Sequence, residues 1–449
     1  MSTVSARPRL LIVAPAAYPF GGVATWLDGL VAGLRRRDWP LEVALLAGHH
    51  HDVERYLERH PLGDVHPIAN PGGSREGRQR ALAEALTALQ PEVVLAANVG
   101  DIEDAVDRLR RAGAPAPRLI TTQHALQRDY FDHLRSRAEV VDGVIVTNRL
   151  GVELAREHAR MESERIAYAP YGVDLGPPLS RRQSAGTLGI VWAGRLQQPQ
   201  KRVLDLPAIC AHLDAAGVDY RLELAGSGPE GDRLAAALAP FERAGRVRRL
   251  GEVPHERVRD AVYSGNDVLL VTSAWETGPI VAWEALAAGL AVVSARYLGS
   301  GREAALRHLD TALLFPVGDA PAAASALGRA RDPELRRKLV AAGQAEVGSR
   351  YSTNASLDAW EGALLRLAAL PPRSARARPE PIAPTGRLDR WLGPPRAESV
   401  RRLVRIAHRQ RSPGDEWPHA LAGAGDERAF LRLAAELDRP VGIAGRTTA

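Results

Sequence analysis

Short, unbroken apolar runs separated by stretches of helical period mark the first 170 residues. Leu10–Ala14, Leu41–Ala47, Glu92–Ala97 and Gly143–Thr147 read as strands buried on both faces, the pattern of a parallel sheet. Gly22–Arg36, Arg75–Leu89 and Asp101–Arg111 lie between them and read as amphipathic helices. The pattern then restarts, with Leu188–Ala193, Tyr220–Ala225, Asp267–Val271 and Leu290–Ser294 as buried strands and helices between them. Two βαβ series predict two doubly wound α/β domains, joined near Pro177–Gly186. The expected division is a first domain over 1–176, a second over 177–353, a closing helix over 354–370 and a tail over 371–449. That tail opens on Pro371–Arg387, rich in Pro and Arg, and continues in two weak helical patterns, Ala397–Gln410 and Asp426–Leu437. It reads as a loosely packed appendage.

Composition narrows the class. A chain of 449 residues with 45% hydrophobic and 25% charged residues is of the globular kind. Disordered, collagen-like and disulfide-stapled proteins are excluded. No apolar run approaches the ~20 residues of a membrane-crossing helix, and Met1–Leu10 does not read as a signal peptide. The lone Cys210 excludes an intrachain disulfide and a cysteine metal cluster, and fits a cytoplasmic protein. The net charge of +6 changes meaning when counted by region: 371–449 holds 15 Arg against 9 acidic residues, whereas 1–370 holds 44 basic and 44 acidic residues. A neutral body therefore carries a basic tail. Peripheral contact with an anionic membrane, through the first domain or this tail, is the partner that basicity suggests; nucleic acid is not expected.

Candidate chemistry sits at the strand ends, where open α/β sheets bind ligands. Gly21 and Gly22 follow the first strand and open a helix, an arrangement that suits an anion. The second domain's first strand ends in Gly194-Arg195-Leu196, with Lys201 just beyond. Only two lysines occur in the chain, Lys201 and Lys338, so 57 of its 59 basic residues are Arg and a lysine here is a selective choice. Ser273–Gly289 follows another strand and opens a helix. Pro279 suits the first helical position, Thr277 or Gly278 can cap it, and the amides of Ile280 and Val281 then face an anion. Glu276 precedes that helix and Glu284 lies inside it; a carboxylate there is costly unless paired or bonded to hydroxyls, such as those of a ribose or hexose. His49–His51 with Asp52 are neighbours on a loop and do not converge on one ion, so no metal is expected. Trp275 and Trp283 read as packing groups.

Together these residues resemble the family 4 retaining glycosyltransferases of GT-B fold. The resemblance runs over most of residues 8–368. It is carried by Gly21-Gly22-Val23, Gly194-Arg195-Leu196 with Lys201, Gly226-Ser-Gly-Pro229, Gly251-Glu-Val253, Glu276…Glu284, Gly289 and Asp310…Asp319. It implies two facing Rossmann-like parallel-sheet domains with a cleft between them, and a nucleotide-diphosphate sugar as donor. Arg195 and Lys201 match the pair that neutralises the leaving diphosphate. Glu284 matches the holder of the ribose, and Glu276, with Gly278, Ile280 and Val281, matches the donor-sugar and phosphate contacts. Gly22 matches a loop near the β-phosphate, Val253 the backbone near the base, and His124 a first-domain histidine near sugar and acceptor. Three positions depart from the family's usual pattern: Pro279 stands for Gly, the Arg195–Lys201 gap is one residue longer, and Tyr171 stands for Asn.

The implied enzyme is a hexosyltransferase. It would move a sugar from a UDP- or GDP-sugar to a glycan, lipid-linked or small-molecule acceptor, as in polysaccharide biosynthesis, without metal or other cofactor. Retention would follow from same-face attack, with the leaving phosphate taking the acceptor proton. The alternatives are a non-hydrolysing UDP-sugar 2-epimerase of similar fold and a non-catalytic nucleotide-sugar-binding protein.

Overall fold

A computed structural model describes residues 7–16, 22–47, 52–60, 62–70, 72–176, 179, 186–406 and 426–439. The His49–His51 cluster and Gly21 lie outside the described residues, as does most of the expected linker. The chain divides into two compact units: Met1–Thr147 with Gly151–Ala169 and Leu357–Phe430, and Pro170–Ser356 with Asn148–Leu150 and Leu431–Ala449.

In the first unit seven strands run β1 Leu10–Pro15, β2 Leu41–Leu46, β3 His66–Ile68, β4 Val93–Ala97, β5 Arg118–Gln123, β6 Gly143–Val146 and β7 Ile166–Tyr168. They are ordered β3-β2-β1-β4-β5-β6-β7, and every pair is parallel. The chain reverses its direction of winding between β1 and β4. Helices form over Gly22–Arg36, Arg75–Leu89 and Ile102–Arg111, with Ser74 accepting from Gly77 N at the second of these. β3, β5 and β7 were not expected as strands. β3 and β7 have three residues each, too few to show a period, and β5 ends in Thr121, Thr122 and Gln123, all buried despite being polar.

In the second unit six strands run β8 Leu188–Ala193, β9 Tyr220–Ala225, β10 Val247–Gly251, β11 Val268–Val271, β12 Ala291–Ala295 and β13 Leu313–Phe315. Their order is β10-β9-β8-β11-β12-β13, again all parallel. Along β8 the side chains alternate between two cores. Ile190 and Trp192 join Leu222, Leu224 and Leu327 on one face, and Val191 joins Leu269, Trp283 and Leu286 on the other. Both faces are thus covered, which is why these strands read as continuous apolar runs. Winding reverses between β8 and β11, and the candidate residues of this unit other than Val253 follow the carboxyl ends of those two strands.

The tail corrects an expectation. Residues 371–406 are not a loose appendage but pack on the first unit through charge pairs. Arg373 N donates to Asp142 and Arg376 N to Asp107 (2.8 Å), while the Arg376 guanidinium is buried beside Asp104. Helices form over Arg387–Leu392 and Pro394–Val404. The second presents Glu398, fully buried, to the Ser74 hydroxyl, where Gly72 and Gly77 leave room for its carboxylate. A Pro- and Arg-rich composition suggested a loose appendage because its acidic partners are hundreds of residues away in sequence. Among the described residues no helix is long and apolar enough to cross a membrane.

Candidate functional site

At the end of β8 the chain turns through Gly194, Arg195 and Leu196 against the Gly226–Pro229 turn that follows β9. Leu196 N donates to Ser227 O (2.8 Å), Gly194 N to Ala225 O (3.0 Å) and Glu230 N to Leu196 O (3.0 Å). A methyl group at Gly226 would overlap the Gly194 carbonyl oxygen, and Gly226 has φ 135°, so glycine is required there. The close approach fixes the backbone that carries Arg195, whose side chain is half-buried.

Lys201 is brought to Glu276. Its Nζ donates to Glu276 Oε1 at 2.6 Å, and the same oxygen accepts from Ser273 Oγ at 2.6 Å. The other oxygen, Oε2, has Gln200 Nε2 at 3.4 Å, which leaves it open to a better donor. The backbone around the pair is pinned from several sides: Thr272 Oγ1 donates to Lys201 O (2.6 Å), Trp192 Nε1 to Thr272 Oγ1 (3.0 Å) and Ala274 N to Gln200 O (2.7 Å). A carboxylate and an ammonium are thus fixed in one place, the Lys201 side chain 22% exposed and that of Glu276 7%.

The helix that follows β11 covers Ile280–Ala287, and its cap is Pro279, not Thr277 or Gly278. Pro279 has φ −70° but ψ 90°, so it stands before the first helical position rather than in it. Its carbonyl accepts from Ala282 N (2.7 Å) and Trp283 N (3.2 Å), leaving the amides of Ile280 and Val281 outside the helix's own ladder. The amides expected to face an anion are thus the first two of the helix, with the cap one position later than Gly278. Gly278 is held close to Tyr171: a methyl group there would come 2.9 Å from the ring. Trp283 stacks on Tyr351 at 4.4 Å and is a packing group.

Glu284 lies one turn into this helix. It accepts from Tyr263 Oη (2.9 Å) and has His255 Nδ1 at 3.6 Å. Burial pushes its carboxyl above the ordinary 4.5, with His255 and Tyr263 pulling the other way. Tyr263 is itself raised well above 10 by burial beside this acid. Val253, half-buried, lies just past β10 between Gly251 and His255. Four partners were missed by sequence reading: Ser273, Gln200, Tyr263 and His255. Ser273 and Gln200 are within three residues of a predicted group and could have been included; Tyr263 and His255 reach Glu284 only through the fold.

In the first unit, Gly22 is exposed at the start of its helix. His124 directly follows β5 and packs against Trp26 with the rings tilted by 56° and their centroids 4.4 Å apart. Burial lowers its pKa to about 3, so it is a neutral imidazole at ordinary pH. Nearby strand ends enclose a cavity of about 40 Å³ lined by Asn98, Glu103, Thr121, Gln123 and His133 among others. Asn98 Nδ2, Glu103 Oε2 and Thr121 Oγ1 are buried there without a hydrogen-bond partner. Among the described residues no cluster of three or more His, Cys, Asp or Glu could hold a metal ion.

Two parallel-sheet α/β units with these strand orders define the class: the fold is that of the GT-B glycosyltransferases. Within it, residues 187–332, which hold Arg195, Lys201, Glu276 and Glu284, match the family described as Glycosyl transferases group 1. Solved structures of the same fold include the lipopolysaccharide outer core galactosyltransferase WaaB in its apo form, with 16% identity and a TM-score of 0.64 over 79% of this chain and 99% of that one. Anabaena HepE in complex with UDP and glucose aligns at 18% identity and a TM-score of 0.63, covering 80% and 100%. Sucrose-phosphate synthase from Thermosynechococcus elongatus aligns at 20% and 0.63, covering 80% and 97%. No curated protein matches the chain in sequence.

Proposed function

We propose that this protein is a retaining glycosyltransferase that takes its sugar from a UDP- or GDP-sugar and passes it to a glycan, lipid-linked or small-molecule acceptor. The observation that carries the reading is the fixed Lys201–Glu276 pair with Arg195 and the Ile280 and Val281 amides at the β8 and β11 strand ends. Breaking a sugar–phosphate bond puts positive charge on the anomeric carbon and negative charge on the departing diphosphate. Arg195, Lys201 and the two amides supply positive potential for the diphosphate without reorganising. Glu276 Oε2 accepts a hydroxyl of the donor sugar while Oε1 stays on Lys201, so one ion pair positions both halves of the bond to be cleaved. Glu284 accepts the ribose hydroxyls, and its raised pKa falls back as they bind. The carbonyl and amide groups near Val253 meet the base. These cations do the work a divalent metal does elsewhere, so turnover needs none.

From the first unit we assign Gly22 to the loop near the β-phosphate, and the neutral His124, together with the polar cavity beside β4 and β5, to the sugar and acceptor. A family 4 resemblance and WaaB, named a galactosyltransferase, support hexosyl transfer and polysaccharide assembly. A panel of UDP- and GDP-sugars, with nucleotide release followed and the product's anomeric configuration read by NMR, tests the reading. Free nucleotide with a retained anomeric centre is expected. An isomerised sugar nucleotide without free nucleotide would make the protein an epimerase, and affinity without turnover would make it a binding protein.

A further inference from the structure

The helices Arg387–Leu392 and Pro394–Val404 have two faces of opposite character. Inward, Asp389, Ala397, Glu398 and Arg401 are buried, with Arg401 bonded to Asp389 and Glu398 to the Ser74 hydroxyl, while at the edge Arg402 reaches the exposed Glu84. Outward, Trp391 and Leu403 are each 83% exposed, Ile406 is 63% and Val404 50%. Large apolar side chains this bare need an explanation that a solitary surface leucine does not. Arg396, Ser399 and Leu403, spaced by three and four, share the solvent side of the second helix. Arg387, Arg390, Arg396 and Arg405 are all exposed, and no acidic partner holds any of them among the described residues. The acids of this segment, Asp389 and Glu398, face inward, so the outward surface is apolar and uniformly cationic.

We infer that this helix pair docks on an anionic lipid bilayer, with Trp391, Leu403 and Ile406 entering the interface and the four arginines over the headgroups. Amphipathic aromatic and aliphatic groups flanked by cations bind this way, the charges contributing through attraction to acidic lipids. The inward ion pairs hold the two helices to the first unit, so the surface is presented already folded. A second copy of the chain would need an acidic complement for the same arginines, which the outward face itself lacks. The proposal is independent of the glycosyl-transfer reading, since none of these residues is placed at the donor or acceptor groups.

Co-sedimentation of the full chain with vesicles tests it. The protein is expected to pellet with phosphatidylglycerol vesicles and to bind phosphatidylcholine vesicles at least about tenfold more weakly, with binding lost in high salt. Trp391→Ser/Leu403→Ser and Arg390→Glu/Arg396→Glu should each weaken the binding at least about tenfold, with circular dichroism and the thermal midpoint unchanged. Binding that persists in both variants, or does not distinguish the two lipids, overturns the proposal. So does self-association through Trp391, seen by sedimentation velocity, in a protein that ignores vesicles.

Discussion

Replacing Lys201 by methionine separates two roles that the Lys201–Glu276 pair combines. The substitution keeps the length of the side chain but strands a carboxylate that is 7% exposed. Breaking a buried pair from one side costs about 3–5 kcal/mol. Ser273 Oγ still donates to Glu276 and Lys201 is partly exposed, so a loss near the lower end, about 3 kcal/mol, is expected. The catalytic loss is separate. A fixed charge facing the leaving diphosphate contributes about 3–4 kcal/mol, or roughly a hundred- to a thousandfold in turnover. In Lys201→Met/Glu276→Gln the stranded charge is gone, and the Gln amide oxygen can still accept from Ser273. Its urea midpoint should return towards wild type while nucleotide release from a UDP- or GDP-sugar stays depressed. Near-normal turnover in the single variant refutes the catalytic role. A double variant as unstable as the single refutes the account of the pair.

Burial raises the pKa of Glu284, so its contribution to folding is full while the group is protonated, below about 4.5, and is lost as pH rises through the folded value. Ribose hydroxyls favour the ionised form, so UDP or GDP binding should release a proton and tighten with pH across that range; calorimetry in buffers of different ionisation heat reads the proton, and Glu284→Gln should abolish it. For His124 the shift is downward: unfolded chains take a proton below 6.5, the folded one not until about 3. Stability should therefore drop as the pH is lowered through that window, by up to about 1.4 kcal/mol per unit, and His124→Leu should flatten the dependence of the urea midpoint on pH. Gly226→Ala should destabilise by about 2–4 kcal/mol in thermal melts, because the new methyl meets the Gly194 carbonyl, whereas Gly231→Ala, with only Leu196 Cδ1 within reach at 3.8 Å, should be nearly silent.

Much of the sheet architecture was legible because parallel strands covered on both faces leave long apolar runs. Leu188–Ala193 and Tyr220–Ala225 are found with the bounds their pattern predicts. The charged groups of the second unit were also legible, since Arg195, Lys201, Glu276 and Glu284 lie beside strand ends and turn residues. Their partners were less so: Tyr263 reaches Glu284 from 21 residues away, a proximity set by packing rather than by local period. The cap at Pro279 was misplaced by one residue because proline fixes φ but leaves ψ free to be non-helical. The tail was misread for a related reason. Arg376 and Glu398 find their partners on Asp107 and Ser74 across more than 260 residues of sequence, and composition alone carries no trace of that pairing.

On the proposed function, the β8 and β11 strand ends hold a nucleoside diphosphate. Titration calorimetry comparing UDP with UMP, and GDP with GMP, measures it directly. Arg195, Lys201 and the Ile280 and Val281 amides predict that one of the two diphosphates binds at least about a hundredfold more tightly than its monophosphate, with most of that difference lost in Lys201→Met. Equal affinity for diphosphate and monophosphate, or a preference that survives Lys201→Met, would contradict the account.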